Sequence, residues 1–288
     1  MSVSIGVAHV QAYTAEIQRL SAQMDSLVRG KVRIKDGFKG KYYNFERLGA
    51  SDLAPITARH SATTLLNPEH SRRRASMSDR GGAVLLDRQD DIRILIQPKN
   101  DYARNHAESV NRYYDDLVFE AALGNATAVD AADAASNVAL PAGQKIAASA
   151  LGLTFAKVNS ALTLANLNHW PYTDRYFAIS PAGLEDLLNT TQATSADFAN
   201  LKAIQSGKLE GTWMSFNWIV TTRLALASTT RSCIAWHKNG LGLCIGMDLY
   251  TSISTRNDLN DATQVYAAAS AGATRVEDEL VVQVDIVE

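Results

Sequence analysis

The sequence has little cysteine, no long apolar run and almost no net charge, and each absence excludes a class of protein. Two cysteines, Cys233 and Cys244, occur in 288 residues, which is too few for a disulfide framework or a zinc cluster. No run of about 18 apolar residues is present, so no membrane-spanning helix is expected. The start of the chain has no basic patch followed by an apolar core, so no secretory signal is expected. A formal net charge of −2 gives no bulk attraction to nucleic acid or anionic lipid.

The motifs of common enzymes are also missing. The chain has no GxxxxGK[ST] or GxGxxG phosphate loop, no GxSxG elbow and no HExxH helix. The run GLGLCIG lies in a predicted strand region and is not followed by a helix, so it does not indicate a nucleotide site. The six histidines are scattered and none has a neighbour at metal-ligand spacing. No catalytic residue, cofactor or metal is therefore predicted, and an enzyme would need a site that converges only in three dimensions.

The charges that are present are unevenly distributed. Between Arg29 and Arg80 twelve basic residues stand against five acidic ones, a local excess of +7. From Arg256 to the end two arginines stand against seven acidic residues, a local balance of −5. A chain that is basic early and acidic late can pair with copies of itself. Two unrelated solvated surfaces would give the same pattern.

Periodicity predicts several helices. Residues 8–28 carry a narrow apolar stripe that includes Ile17 and Leu20, typical of an amphipathic helix on a groove or on its own core. Residues 101–125 form the clearest helix, with Asn100 or Asp101 as cap and Gly124 suited to a left-handed end. Further helices are expected at 144–167 and, after the Ser180-Pro181 cap, over PAGLEDLLN. A helical or irregular piece is expected at 195–204.

Extended structure is expected elsewhere. Residues 31–50 alternate weakly around Asp36-Gly37, a turn signal. The following stretch to residue 82 is polar, basic and poor in large apolar side chains, so it needs another surface to lie on. Residues 126–142 are typical of an exposed loop. Strands are predicted for RYFAIS, 212–221, 231–237, 241–254 and 279–287. The fold class is therefore α+β.

The order of these features resembles the major capsid proteins of tailed phages, whose fold is named after bacteriophage Hong Kong 97. The segment LVRGKVRIKDGFKGKYYNFERLGA resembles the family's N-terminal arm running into its extended loop. DDIRILIQPKNDYARNHAESVNRYYDDLVFEAALGNA resembles the approach to the long spine helix, and RYFAISPAGLEDLL a strand-then-helix step of the axial domain. LEGTWMSFNWIVTT and SCIAWHKNGLGLCIGMDLYT resemble its later strands, and VEDELVVQVDIVE the closing strand.

The resemblance implies a Hong Kong 97-like division of the chain. We expect an N-terminal arm at 1–30 and an extended β loop at 31–90. A peripheral domain with the spine helix is expected at 91–143, completed by strands from about 250–288, and an axial domain at 144–249. The chain starts directly at the arm, without the long scaffolding region of some relatives. The lysine and asparagine that cross-link some relatives have no match here.

The function that the resemblance implies is structural. Copies would form hexamers and pentamers of an icosahedral shell, stabilised by many weak contacts, around double-stranded DNA held by non-specific contact. The resemblance also implies scaffolding, portal and decoration proteins as partners, with synthesis in the bacterial cytoplasm and residence in the virion. An encapsulin-type nanocompartment that encloses a cargo enzyme is the alternative of the same fold, and a soluble enzyme is the alternative of a different class.

Five residues are candidates for contacts between subunits. Ile17 and Leu20 lie on the opening stripe, which would dock as an arm. Arg72, Arg73 and Arg74 stand in the part that resembles the extended loop. Because an arginine can grip a carboxylate with two parallel hydrogen bonds, at least one of the three is expected against a neighbouring subunit. A solvated turn is the plainer interpretation of the three arginines.

Overall fold

A computed structural model describes residues 23–56, 58–60, 62–87, 99–130, 132–189 and 212–288. Within these ranges the chain forms three α-helices: α1 (Lys99–Leu123), α2 (Phe155–Leu167) and α3 (Pro181–Leu188). Fifteen strands accompany them in the same ranges: β1 (Arg33–Asp36), β2 (Tyr42–Leu48), β3 (His70–Ser76), β4 (Ser78–Leu86), β5 (Ala126–Val129), β6 (Ala135–Val138), β7 (Lys145–Ile146), β8 (Arg175–Ile179), β9 (Thr212–Trp213), β10 (Phe216–Val220), β11 (Leu226–Ala227), β12 (Thr230–His237), β13 (Leu241–Arg256), β14 (Ala262–Arg275) and β15 (Val281–Val287). The α+β class is confirmed.

The strands form three sheets. The largest has seven strands in the order β7-β15-β12-β8-β10-β9, with β11 paired to β12. A four-stranded sheet has the order β1-β13-β14-β4, and a second has the order β2-β3-β5-β6. By contacts the chain separates into two compact units, of which the larger comprises Leu27–Ser78, Tyr113–Met247 and Ser270–Glu288. In the smaller unit the described residues are 23–26, 79–87, 99–112 and 248–269.

The core of the larger unit is centred on β8, the predicted strand RYFAIS. All five residues of β8 are buried, and the strand lies between β10, to which it is parallel, and β12, to which it is antiparallel. Phe177 stacks on Trp218 with ring centroids 4.7 Å apart, while Trp236 is fully buried on β12. Strands covered on both faces are near-continuously apolar rather than alternating. Apart from Arg175 at its start, β8 follows this rule, which is why this short segment is recognisable in the sequence.

Helix α3 begins as its sequence predicts. The Ser180 hydroxyl accepts a hydrogen bond from the Gly183 amide at 3.1 Å, and Pro181 occupies the first helical turn. A serine cap satisfies one of the orphan amides of the first turn, and proline has no amide to leave unsatisfied there. The predicted cap is confirmed.

Helix α1 is the predicted long helix of 25 residues. Val110, Tyr114 and Val118 of the predicted face are buried. The predicted left-handed end at Gly124 is wrong, because Gly124 is not among the described glycines with positive φ. A side chain there would still be excluded, since a Cβ would lie 2.9 Å from the Glu120 carbonyl oxygen.

The prediction that the opening helix extends to residue 28 is also wrong. Residues 23–28 are described and are not helical. The amides of Leu27 and Val28 instead donate to the buried carboxylate of Asp115 on α1, at 2.9 and 3.2 Å. A side-chain acceptor 87 residues away competes with helix propagation here. The rest of the predicted helix lies outside the described residues, as does the piece predicted at 195–204.

Two segments after α1 differ from their prediction. The expected loop at 126–142 contains β5 and β6, which pair with each other, while Ala126, Val129 and Leu140 are buried. The helix expected from residue 144 begins only at Phe155, where the Thr154 side chain accepts from the Lys157 amide. Small residues dominate 126–142, and the apolar positions of the predicted helix begin only at Leu151, so the structure of 126–150 depends on neighbouring strands.

The buried ammonium of Lys157 holds together the region before α2. Its Nζ donates to the carbonyl oxygens of Ala148 and Leu151 at 2.7 Å, and to those of Gly152 and Asp285 at 3.0 Å. Burial lowers the pKa of the Lys157 amine, against the opposing influence of nearby acidic groups. One side chain therefore ties an irregular loop to the closing strand β15.

The glycines of GLGLCIG serve packing on β13. A Cβ on Gly242 would lie 2.6 Å from the Phe45 ring, so only glycine lets β2 approach β13 this closely. Phe45 packs there with Cys244, Ala75 and Val276, and Phe38 and Tyr43 border the cluster. Both cysteines are free and buried. Desolvation raises the pKa of Cys233 to about 12 and that of Cys244 to about 11.

Candidate intersubunit surfaces

The three candidate arginines lie side by side on β3, in the sheet β2-β3-β5-β6. Strand β3 is antiparallel to both neighbours, with Arg73 opposite Phe45 on β2 and opposite Ala128 on β5. Because successive side chains of a strand point to opposite faces, Arg73 lies on one face of the sheet while Arg72 and Arg74 lie on the other. The three residues therefore have different surroundings although they are adjacent in sequence.

Arg73 is buried in its own chain. Only 6% of its side chain is exposed, and Nη2 lies 2.6 Å from Oδ2 of Asp278. Arg275, also buried, donates from Nε to the other oxygen of Asp278 at 2.5 Å. Burial lowers the pKa of Arg73, with Asp278 acting in the opposite direction. The Nε and Nη1 atoms of Arg73 have no hydrogen-bond partner. Because Arg73 and Arg275 share the single carboxylate of Asp278, this cluster holds more positive than negative charge.

Arg72 and Arg74 are paired within the chain as well. Arg72 Nε lies 2.9 Å from Oε1 of Glu46, its cross-strand neighbour, with 48% of its side chain exposed. Arg74 bonds the carboxylate of Asp133 and lies over the Tyr42 ring, 4.9 Å from its centroid. The intersubunit role stays a prediction for all three arginines. Arg72 is the member with an accessible guanidinium, because only 12% of the Arg74 side chain is exposed.

The second candidate surface is the exposed loop, residues 49–69 between β2 and β3. Its ends are held together by a 2.7 Å bond from the Gly49 amide to the Glu69 carbonyl. The described part, 49–56, 58–60 and 62–69, contains neither helix nor strand. Three large aliphatic side chains project from it into solvent, Leu53 at 90%, Ile56 at 89% and Leu65 at 83% exposure. The loop is therefore a candidate for a surface that another molecule covers.

The exposed loop contains functional candidates that sequence reasoning did not single out. Leu53, Ile56 and Leu65 have no period in common, so no pattern separates them from core residues. The sequence signal that could have identified them is their position among polar residues near Pro55 and Pro68, since prolines favour an extended chain.

The stripe residues Ile17 and Leu20 lie outside the described residues.

Other kinds of site find no support in the part of the chain that the structure describes. No group of three or more His, Cys, Asp or Glu side chains there is placed to hold a metal ion. Within the same residues, no helix is long and apolar enough to cross a membrane.

Solved structures with the same fold include several phage capsids. The capsid of the cyanophage P-SCSP1u matches with a TM-score of 0.73 at 15% identity, over 97% of this chain and 93% of that one. A protein of Mycobacterium phage Che8 matches with a TM-score of 0.73 at 14% identity, over 95% and 96%. The capsid of Ralstonia phage GP4 gives 0.73 at 11% identity, over 100% and 98%. At these identities the likeness establishes the fold.

Sequence comparison supplies the family. No curated protein sequence matches the chain. The family model described as phage capsid protein matches residues 5–288, which is nearly the whole chain and includes the exposed loop, the arginine-bearing sheet and the three described helices. The chain therefore belongs to the phage capsid protein family.

Proposed function

We propose that this chain is the major capsid protein of a tailed phage, whose copies form hexamers and pentamers of an icosahedral head shell around packaged double-stranded DNA. Family membership over residues 5–288 supports a structural role in the shell and favours a phage head over a nanocompartment. The virion is the place of the assembled protein, and the cytoplasm of the bacterial host is the proposed place of synthesis. Scaffolding, portal and decoration proteins are proposed partners.

The exposed loop is the observation that carries the proposal. Burying a Leu or Ile side chain stabilises an interface by about 1.5–3 kcal/mol, and three such side chains are exposed here by more than four fifths. A neighbouring copy is the natural cover, because a shell repeats the same contact at every subunit. Each contact can be weak, since closure of the lattice multiplies it.

The remaining candidate residues have roles within this proposal. Arg72 would meet a carboxylate of an adjacent subunit, in exchange for or beside Glu46. The stripe with Ile17 and Leu20 would dock as an arm on a neighbouring copy. The Arg72 contact would set the register of one subunit against the next, because charged and polar contacts fix specificity more than affinity. The apolar stripe would supply affinity through its buried area.

The experiment that tests the proposal uses the full-length purified chain, alone and with the scaffolding protein of its phage. Sedimentation and negative-stain microscopy should show capsomers, shells or tubes. The variant Leu53→Asp with Ile56→Asp and Leu65→Asp should fold normally by circular dichroism yet lose at least nine tenths of its particles. Assembly would bury each new carboxylate in the interface without a partner, at a large cost in free energy.

A matched control places the same three charges at polar positions of the loop, Ser51→Asp, Thr64→Asp and Asn67→Asp, all of which are exposed. This control should keep most of the particles. A chain that stays monomeric at high concentration with its partners present contradicts the proposal. Equal assembly of the aspartate variant and its control would remove the loop from the interface.

A further inference from the structure

Four exposed cations fall within nine residues near the start of the described chain, and we name them the basic strip: Arg33, Lys35, Lys39 and Lys41. Arg33 and Lys35 belong to β1, an edge strand that pairs in parallel with β13. They are two residues apart, so they point to the same side of the strand. Lys39 and Lys41 follow in the turn to β2, in which Gly37 and Gly40 have positive φ.

The basic strip carries charge that its own chain does not neutralise. None of its four cations forms an ion pair with a described residue, whereas eight other arginines do: Arg72, Arg73, Arg74, Arg104, Arg223, Arg231, Arg256 and Arg275. Residues 31–41 contain five basic side chains and one acidic one, so the remainder of the chain sums to −6. A strongly basic surface on an otherwise acidic protein attracts polyanions to one place.

Packing holds the strip on a fixed base. Arg33 lies opposite Gly242, the residue that Phe45 covers, and its guanidinium is 5.6 Å from the centre of the Phe45 ring. Lys41 lies over the Tyr42 ring, with its amine 5.2 Å from the centroid. Long basic side chains can cover apolar surface with their stems while their charged ends stay in water. The charges are therefore presented outward from an ordered aromatic cluster.

We propose that the basic strip binds the phosphate backbone of double-stranded DNA without reading its sequence. The inference rests on the proposed function, because a head shell supplies such a polyanion, and it identifies the surface of the subunit that would face the packaged genome. Lysine and arginine in water make contacts with phosphate that release counterions, which is the main source of non-specific binding to DNA. Three of the four residues are lysines, whose flexible side chains can adjust to phosphates at irregular spacing.

A second copy of the chain is a poorer partner for the strip. The acidic region from residue 256 onward is the obvious complement, but four of its seven carboxylates are already engaged inside the chain. Asp258 is paired with Arg256, Asp278 with Arg73 and Arg275, Asp285 with Ser232 and Gln283, and Glu288 with Arg231. An interface between copies would have to break these contacts before it could use the acids.

The test measures binding of full-length, unassembled subunits to a random-sequence 30-base-pair duplex by fluorescence anisotropy across a salt series. Each neutralised phosphate contributes about 0.9 to the slope of log K against log salt. Replacing all four strip residues, as Arg33→Gln, Lys35→Gln, Lys39→Gln and Lys41→Gln, should reduce that slope by about 3.6. At low salt the affinity should fall at least a hundredfold, equally for AT-rich and GC-rich duplexes.

The matched control removes four arginines that are paired within the chain, Arg104→Gln, Arg223→Gln, Arg231→Gln and Arg256→Gln, and so changes the net charge equally. It should keep most of the slope, and circular dichroism should show both variants folded. Equal slopes for the two variants, or a wild-type subunit that does not bind the duplex, would overturn the inference. So would a strip variant that binds DNA normally but fails to assemble. Shell formation by the wild type is scored separately, so failure of the proposed function is distinguishable from failure of the inference.

Discussion

The guanidinium of Arg73 lies 2.6 Å from the carboxylate of Asp278, a residue 205 positions further along the chain. This pair joins the early basic region to the late acidic one inside a single subunit. Arg275 bonds the second oxygen of the same carboxylate at 2.5 Å. One largely covered acid, with 13% of its side chain exposed, therefore binds two arginines that are far apart in the sequence. Part of the charge asymmetry of the sequence is thus satisfied before any second copy is present.

Removing the Asp278 carboxylate should strongly destabilise the subunit. The variant Asp278→Asn leaves two buried guanidinium groups without a counter-charge, and losing one partner of a buried pair costs about 3–5 kcal/mol. Urea unfolding of unassembled subunits measures the change in free energy of unfolding. The exposed acid Glu279→Gln is the control and should change it by less than about 0.5 kcal/mol. Equal effects of the two variants would contradict the buried cluster.

The Lys157 ammonium should be needed for the stability of the region before α2. Lys157→Met keeps the length of the stem but leaves four carbonyl acceptors with no donor, at a cost of about 2–3 kcal/mol. Thermal unfolding should show a fall of several degrees. Lys145→Met, at an exposed position of β7, is the control and should leave the melting temperature nearly unchanged. A stable Lys157→Met variant would mean that the four oxygens are satisfied by water.

The Arg231–Glu288 pair should make stability depend on acid pH. Hydrogen bonds from Arg231 hold the pKa of the Glu288 carboxyl below its usual value of 4.5. The pair therefore stabilises the fold above about pH 4.5, and this contribution is lost as pH falls through the lower pKa of the folded state. Unfolding measured from pH 7 to pH 3 should show a smaller acid-dependent loss for Glu288→Gln. Glu185→Gln, on the exposed side of α3, should follow the wild type.

Charge reversal at Arg72 should weaken assembly without unfolding the subunit. Arg72→Glu places a carboxylate opposite Glu46. The same carboxylate would repel the acidic group that we propose on the neighbouring copy. An exposed ion pair contributes at most about 1 kcal/mol, but it recurs at every interface, so particle yield should fall most at low salt. Sedimentation across a salt series measures the yield. Reversal of all three arginines is a poorer experiment, because the buried Arg73 would unfold the chain. Normal shells at every salt concentration would remove Arg72 from the interface.

The opening stripe should matter for arm docking. Ile17→Asp with Leu20→Asp would place unpaired charges against apolar surface. Particle yield and the thermal stability of the particles should both decrease. Gln11→Asp with Gln18→Asp adds the same charge on the polar side of the stripe and should be tolerated. Unchanged particles in the first variant would show that the stripe is solvent-exposed.

Segments whose burial follows a local rule could be predicted from the sequence. The run RYFAIS, the Ser180-Pro181 cap and the alternation of β15 each place apolar or capping residues at the spacing that their element requires. Helix α1 was predicted within two residues at either end, because its apolar positions recur over seven turns. Such segments keep the same structure in many surroundings.

Other segments depend on partners far along the chain and could not be predicted. Strand β14 is rich in alanine, a residue that does not favour a strand by itself, and it is extended because neighbouring strands pair with it. The region near Leu27 is held by Asp115, and Arg73 by Asp278. The three consecutive arginines could be recognised as candidate contact residues from the sequence. The burial of Arg73 could not, because it depends on which face of β3 packs against the rest of the unit.

The two cysteines make the assembled particle chemically quiet toward thiol reagents. Thiolate is the reactive form of cysteine, and burial keeps both thiols protonated, with the pKa of Cys233 raised to about 12 and that of Cys244 to about 11. A cysteine introduced at an exposed position outside the exposed loop, such as Ser160 on α2, would then be the reactive thiol of each subunit for maleimide chemistry. One dye, spin label or cargo molecule could be attached per copy without first removing the native cysteines.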